Sequence, residues 1–398
     1  MTKEKVIPQI RFSGFTDTWE QRKLSAIADK VTEKNVGLQY IETFTNSAEF
    51  GIISQRDFFD HDIAKMSSLG GYYIVRSEDF VYNPRISTSA PVGPINRNKL
   101  GRIGVMSPLY TVFRPHDIDT TYLEYFFKSK YWHSFMNFNG DSGARSDRFS
   151  IKDSVFFEMP IPIPHIDEQK KIGAFLDKLD SLITLHQRKY DKLTKVKKAM
   201  LEKMFPENGS PYPEIRFKGF TDAWKQRKLG DTVQITMGQS PDGSTYSDVP
   251  SDYILVQGNA DLQNGWVSPR VWTSQMTKKA DAGDLIMSVR APAGAMGKTA
   301  YNAVIGRGVA AIKGNEFIYQ LLEKMDSDGY WKALSCGSTF ESLNSDNIKN
   351  ADVLIPDVAE QEKIGEYFLA IDRLITLHQR KLEKLKNIKK ACLEKMFV

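Results

Sequence analysis

The eight residues Leu182-Ile-Thr-Leu-His-Gln-Arg-Lys189 return, letter for letter, as Leu374 to Lys381. An octapeptide repeated without change marks an internal duplication, and a duplication decides the architecture before any strand or helix is assigned. Around it, Asp167–Phe205 matches Ala359–Phe397 at 24 of 39 positions. Upstream, Pro8–Leu24 (PQIRFSGFTDTWEQRKL) returns as Pro213–Leu229 (PEIRFKGFTDAWKQRKL), with 13 of 17 positions identical. The trailing pair is offset by 192 residues and the leading pair by 205, so the stretch between them is 13 residues longer in the first half. The intervening residues 25–166 and 230–358 share little identity. A chain that holds two different bodies in one frame would keep the frame and vary the bodies. The plainer alternative is a duplication whose middles diverged faster.

The trailing segments read as long helices. From Glu168 to Met204 there is no proline and one glycine, Gly173. A seam runs through Ile172, Leu176, Leu179, Ile183, His186, Tyr190, Leu193, Lys197, Met200 and Met204. Its steps alternate four and three, the heptad pattern of a coiled coil. The second copy has Ile364, Phe368, Ile371, Ile375, His378, Leu382, Leu385, Lys389, Cys392 and Met396. Each helix would be roughly 55 Å long at 1.5 Å per residue. Acids at the start (Asp167, Glu168, Glu360, Glu362) and lysines near the end (Lys195, Lys197, Lys198, Lys386, Lys389, Lys390) suit the helix dipole. Two matching seams should bury each other, and equivalent halves favour antiparallel pairing. His186 and His378 fall near the midpoint, as polar seam residues that set register; a metal or catalytic role is the other reading.

Both bodies alternate β-branched runs with Gly/Pro turns and carry helix-like stretches, Tyr122–Phe138 and Phe317–Leu334. The expected fold is therefore α/β (α+β). It has two globular bodies in tandem and two long helices pairing as an antiparallel coiled coil, with pseudo-two-fold symmetry. Boundaries fall at 1–165, 166–206, 207–357 and 358–398.

With 41% hydrophobic and 26% charged residues in 398, the composition is that of a soluble globular protein. No apolar run reaches the length of a bilayer span, and the charged start lacks a secretory core. Two cysteines, Cys336 and Cys392, are too few for a disulfide scaffold or a Cys-rich zinc site. A cytoplasmic protein with no membrane association is expected.

Catalytic signatures fail. Gly297-Lys298-Thr299 resembles the end of a phosphate loop, but Pro292 stands where the glycine is required. The six histidines show no HExxH and no zinc spacing. Asn83-Pro84-Arg85 lacks the second proline and the aromatic of the adenine methyltransferase motif, and no GxSxG occurs. No catalytic residue, no resident cofactor and no metal site are expected in this chain.

Base edges are read by Arg and Lys on guanine and by Asn and Gln on adenine; hydroxyls and cations hold phosphates. Loops rich in these types present Asn83, Arg85, Ser87, Arg97, Ser142, Arg145 and Arg148 in the first body. The second body presents Gln239, Ser240, Tyr246, Gln257, Asn259, Arg290, Lys298 and Arg307. Any one of them alone is more simply a turn residue, a surface charge or a strand-end ion pair. Taken as a set they are candidates for contacts to DNA.

These residues together resemble the DNA-specificity subunits of type I restriction–modification systems. The doubled EQxKIG…LITLHQRK…LEKMF and the doubled RFxGFTDxW…QRKL carry the resemblance. Further blocks are Gly283–Gly294 (GDLIMSVRAPAG), Ile305–Gly308 (IGRG) and Gly337–Phe340 (GSTF), with Asp79–Arg85 (DFVYNPR) and Ser107–Arg114 (SPLYTVFR) in the first body. The first body matches the usual blocks less fully. The resemblance implies two target recognition domains, each reading half of a split double-stranded DNA site across a helical spacer. It also implies two modification subunits bringing S-adenosylmethionine, and two restriction subunits bringing ATP and Mg. A two-domain DNA-binding or bridging scaffold outside restriction–modification is the alternative, and a stand-alone enzyme a more distant one.

The net charge of +5 is unevenly spread. Residues 167–205 carry +4 and residues 359–397 carry +3, which leaves −2 on everything else. Bodies near neutrality imply a local DNA surface and a reader that works within a complex.

Overall fold

The structure is a computed structural model that describes residues 7–60, 64–141, 147–207, 209–335 and 342–397. Ser142, Arg145, Cys336 and the block Gly337–Phe340 lie outside the described residues. The chain forms two compact units. One takes in the residues up to Leu185 and those from Leu382 onward; the other is His186–Lys381. Grouped by contact, the long helices are parts of the units rather than separate from the bodies.

The repeated segments build the same frame in each unit. The strand Glu20–Lys23 pairs antiparallel with Pro160–Ile163, and Lys225–Lys228 pairs likewise with Asp352–Ile355. Each partner strand leads directly into a long helix: the central helix Ile166–Met204 and the C-terminal helix Val358–Lys395. A glutamate in the first helical turn is then clamped from the leading segment. Arg11 donates two hydrogen bonds to the Glu168 carboxylate, at 2.7 and 2.8 Å, and Trp19 Nε1 adds a third at 3.2 Å. Arg216 does the same to Glu360, at 2.7 and 2.7 Å. Both glutamates are fully buried, so the arginines supply the countercharge that burial of a carboxylate requires. The leading segments also reach the far helix ends: Ile10 N–H donates to Lys395 O and Ile215 N–H to Lys203 O, both at 2.9 Å.

Inside each frame a short helix pair packs on the long helices. Asp119 caps Thr120–Lys128 by accepting from Tyr122 N–H, and Asn315 caps Glu316–Ser327 by accepting from Ile318 N–H. In the first unit Ile172, Leu176 and Leu179 share one core with Tyr122, Phe126, Cys392, Met396 and Phe397. In the second, Met204 and Phe205 join Phe317, Ile364 and Phe368. The ends of the seam thus serve as body core. Its middle is only half-buried at Ile183, Tyr190, Leu193, Ile375 and Leu385.

Where the two helices meet, they run in opposite directions. Within the second unit, His186 lies against His378 at 2.8 Å between their Nδ1 atoms, while Lys197, further along, meets the earlier Asp372 at 2.8 Å. Seam lysines are therefore paired rather than solvated: Lys389 bonds Asp180 in the first unit just as Lys197 bonds Asp372 in the second.

The bodies differ. The first holds a four-stranded antiparallel sheet, a hairpin of Phe44–Ser47 with Gly51–Ser54, and a long-range antiparallel pair of Tyr73–Val75 with Gly104–Met106. The second holds a six-stranded and a five-stranded mixed sheet. One frame carries two different interiors.

Candidate nucleic-acid interface

In the second unit three loops converge at one end of the sheets. They follow the strands Gln234–Met237, Tyr253–Val256 and Ala303–Ile305. Their approach is too close for side chains at two glycines. A Cβ on Gly238 would stand 2.1 Å from Gly306 O, and one on Gly308 would stand 2.0 Å from Gln257 O. The exposed Arg307 sits at the tip. Its backbone N–H donates to Ser240 Oγ at 3.1 Å, which places Ser240 under the turn. Gln239 N–H donates to Ile305 O at 2.8 Å, and Thr277 Oγ1 holds the Gln239 carbonyl at 2.6 Å. Gln257 and Gly258 donate their N–H groups to Asp261 Oδ2, and Arg270 pairs with the same carboxylate. Asn259 opens the short turn that brings Asp261 round.

Two further candidates lie beside this cluster. Val289 N–H donates to Gly308 O at 2.9 Å, so the exposed Arg290 leaves its strand next to the Arg307 turn. The Tyr246 hydroxyl donates to Pro241 O at 3.4 Å, one residue beyond Ser240. Seven of the eight residues expected from the sequence are therefore brought together. Lys298 is not. It is 9% exposed, its Nζ lies 2.7 and 2.6 Å from the two Glu316 oxygens and 3.9 Å from the Tyr319 ring centre, and it neutralises a carboxylate inside the fold.

The first unit has a smaller cluster. Asn83, Pro84 and Arg85 leave the strand Phe80–Tyr82. The Asn83 side chain donates to Asn46 O at 2.8 Å and accepts from Arg85 N–H at 3.0 Å, fixing the start of the loop. Arg85 and Arg148 face each other across an isolated antiparallel bridge. Neither guanidinium has a hydrogen bond or ion pair among the described residues. Ser87 closes the loop tip by accepting from Ala90 N–H at 3.2 Å. A cavity of about 490 Å³ opens beside Pro84 and Arg148, walled by Tyr82, Phe149 and Tyr110. Burial pushes the Tyr82 hydroxyl well above its ordinary value, so it stays a donor, to Val92 O. Arg97 belongs elsewhere. Its guanidinium bonds Glu78, Thr120 and Thr121 and pairs with the buried Glu124 at 2.6 Å.

Sequence reading missed the supporting residues Asn46, Asp261, Arg270 and Thr277. Their types are ordinary and only the fold brings them to the loops. Among the described residues no group of three or more His, Cys, Asp or Glu could hold a metal. No helix of the described residues is long and apolar enough to cross a membrane.

A duplicated α/β scaffold with a pair of arginines at a polar loop cluster in each unit defines a double recognition module. The sequence profile of the type I restriction modification DNA specificity domain matches residues 17–195 and again 221–387. The chain belongs to that family and carries its domain twice. It is 25% identical over 416 residues to the protein named as the type I restriction enzyme MjaX specificity subunit of Methanocaldococcus jannaschii, covering 98% of this chain and 95% of that one. The MjaVIII specificity subunit of the same organism is 23% identical over 73% of each. Among solved structures, the S subunit of a type I system from M. genitalium aligns with a TM-score of 0.65 at 14% identity, over 98% of this chain and 99% of that one. A chain from a study of type I complex assembly and conformational transition aligns at 0.52 and 19%, over 96% and 98%. At these identities the structures speak for the fold.

Proposed function

We propose that this chain is the non-catalytic specificity subunit of a type I restriction–modification complex in the cytoplasm. Each unit reads one half of a bipartite double-stranded target. The long helices pair as an antiparallel coiled coil that sets the gap and offers docking positions to two modification subunits. S-adenosylmethionine, ATP and Mg act on the modification and restriction subunits, not here. The observation that carries this reading is one conserved frame around two unlike loop clusters: Arg85 and Arg148 in one unit, Arg290 and Arg307 in the other, each beside amides and hydroxyls suited to base edges.

The test is a body exchange. Residues 25–160 are replaced by the corresponding body of another family member, and the host genome's methylation is sequenced at single-molecule resolution. One half of the methylated motif should change while the other half and the gap stay. Both halves changing together would refute one reader per unit.

A further inference from the structure

In the second unit the strand Tyr253–Val256 pairs antiparallel with Trp272–Thr273, Ile254 opposite Trp272. Leu255 N–H donates to Val271 O at 2.9 Å, which continues that register and sets Arg270 opposite Val256. Val256 is the last residue before the Gln257 loop, and its carbonyl accepts from Gly306 N–H at 2.8 Å. Arg270 therefore lies at the end of the sheets where the Gln257 and Arg307 turns converge.

Its ion pair is one-pronged. Arg270 Nε donates to Asp261 Oδ1 at 2.5 Å. The other oxygen, Oδ2, is already taken by Gln257 N–H at 2.6 Å and Gly258 N–H at 3.2 Å, so the guanidinium cannot fork onto the carboxylate. The anchor is 2% exposed and the arginine side chain 54%. Both Nη atoms bond nothing among the described residues. Other paired arginines differ in place. Arg11 and Arg216 fork onto glutamates at the helix starts and are largely buried. Arg114 forks onto Asp79 at the end of its sheet away from the Arg85 loop. Beside Arg270 the side-chain amides of Gln257 and Asn259 are half-buried and have no hydrogen bond among the described residues.

A phosphate contact profits from net charge, and here Asp261 offsets it. What the anchor leaves is direction: two donors fixed side by side, the match to guanine O6 and N7 in the major groove. We propose that Arg270, held by Asp261, reads a guanine of the second unit's half-site through its two Nη atoms. The inference rests on the functional reading above and deepens it, because it names a specificity-determining residue and the base it selects.

The test uses the full chain with the modification subunit of its own system. Exchange of residues 25–160 leaves one half of the methylated motif unchanged, and that half belongs to the second unit. A half-site without a G·C pair overturns the inference. Duplexes then carry 7-deazaguanine, which lacks N7, or inosine, which keeps O6 and N7, at each guanine in turn. At one position the wild-type complex should bind the 7-deazaguanine duplex about tenfold more weakly and the inosine duplex unchanged. Arg270→Lys retains the countercharge for Asp261, but its single nitrogen is spent there and reaches no base. It should bind the natural duplex about tenfold more weakly, lose its response to 7-deazaguanine at that position, and relax host methylation there alone. If this variant does not fold, the wild-type response to the two modified bases decides. Weakening by Arg270→Lys that is equal at every position marks a phosphate contact and overturns the inference, as does an unchanged profile; both leave the functional reading intact. A wild-type chain that directs no bipartite methylation with its modification subunit refutes the functional reading itself.

Discussion

Glu168 and Glu360 are carboxylates without solvent, and each is bearable only because an arginine from the leading segment forks onto it. Removing the arginine leaves a buried unpaired charge, which costs about 3–5 kcal/mol. Arg11→Ala should therefore lower stability by that order in a urea titration, and the loss should appear in the first unit's hydrogen exchange before the second's. The histidine pair sets a pH dependence. Burial first, then His186, Lys189 and Lys381, holds the His378 imidazole below its ordinary value. The unfolded chain therefore takes up that proton at higher pH than the folded chain does. The stability this supplies is present above about pH 6.5 and is lost as pH falls through the folded value. A single proton fits between two Nδ1 atoms, so the doubly charged pair has no hydrogen bond to offset its repulsion. His378→Asn should flatten the decline in urea midpoint between about pH 7 and 5.5 relative to wild type. An unchanged slope would assign the acid sensitivity to other groups. Residue type alone could nominate Arg97 and Arg307 equally. Only the fold separates them, since Glu124 and Glu78 are brought to the first and, among the described residues, no acid is bonded to the second.

At the scale of elements, the long helices were legible because a heptad extends over many turns and appears twice. The bodies were not, because most of their strands are two to four residues long and their order depends on partners distant in sequence. The seam also reads as one stripe with two physical roles. Ile172, Leu176, Leu179, Ile364 and Phe368 are buried body core, whereas Ile183, Tyr190 and Ile375 lie in the half-exposed stretch between. A length change belongs in that middle stretch, clear of both cores. Four residues inserted in each helix there would add about 6 Å. The methylated motif should keep both half-sites and gain one or two base pairs of gap; an unchanged gap would end the idea of the helices as a ruler.

For the molecule as a whole, the small positive charge lies on the helices while the recognition loops sit on nearly neutral bodies. On the functional reading proposed above, affinity for DNA at physiological salt would come largely from partners, and the chain itself would contribute selection. The shared frame has a consequence for the order of events during synthesis. Cys392, Met396 and Phe397 are 8%, 2% and 1% exposed in the core of the first unit, against Tyr122 and Phe126. The corresponding residues of the second unit, Met204 and Phe205, are translated before the rest of that unit. A ribosome therefore completes the later body first, and the earlier one waits with an open apolar slot until residues 392–397 emerge. Domains generally fold in the order they are made; here that order should invert. Nascent chains arrested before residue 392 should show a protease-resistant second body and a protease-sensitive first one. The N-terminal reader is the last part of the protein to become usable.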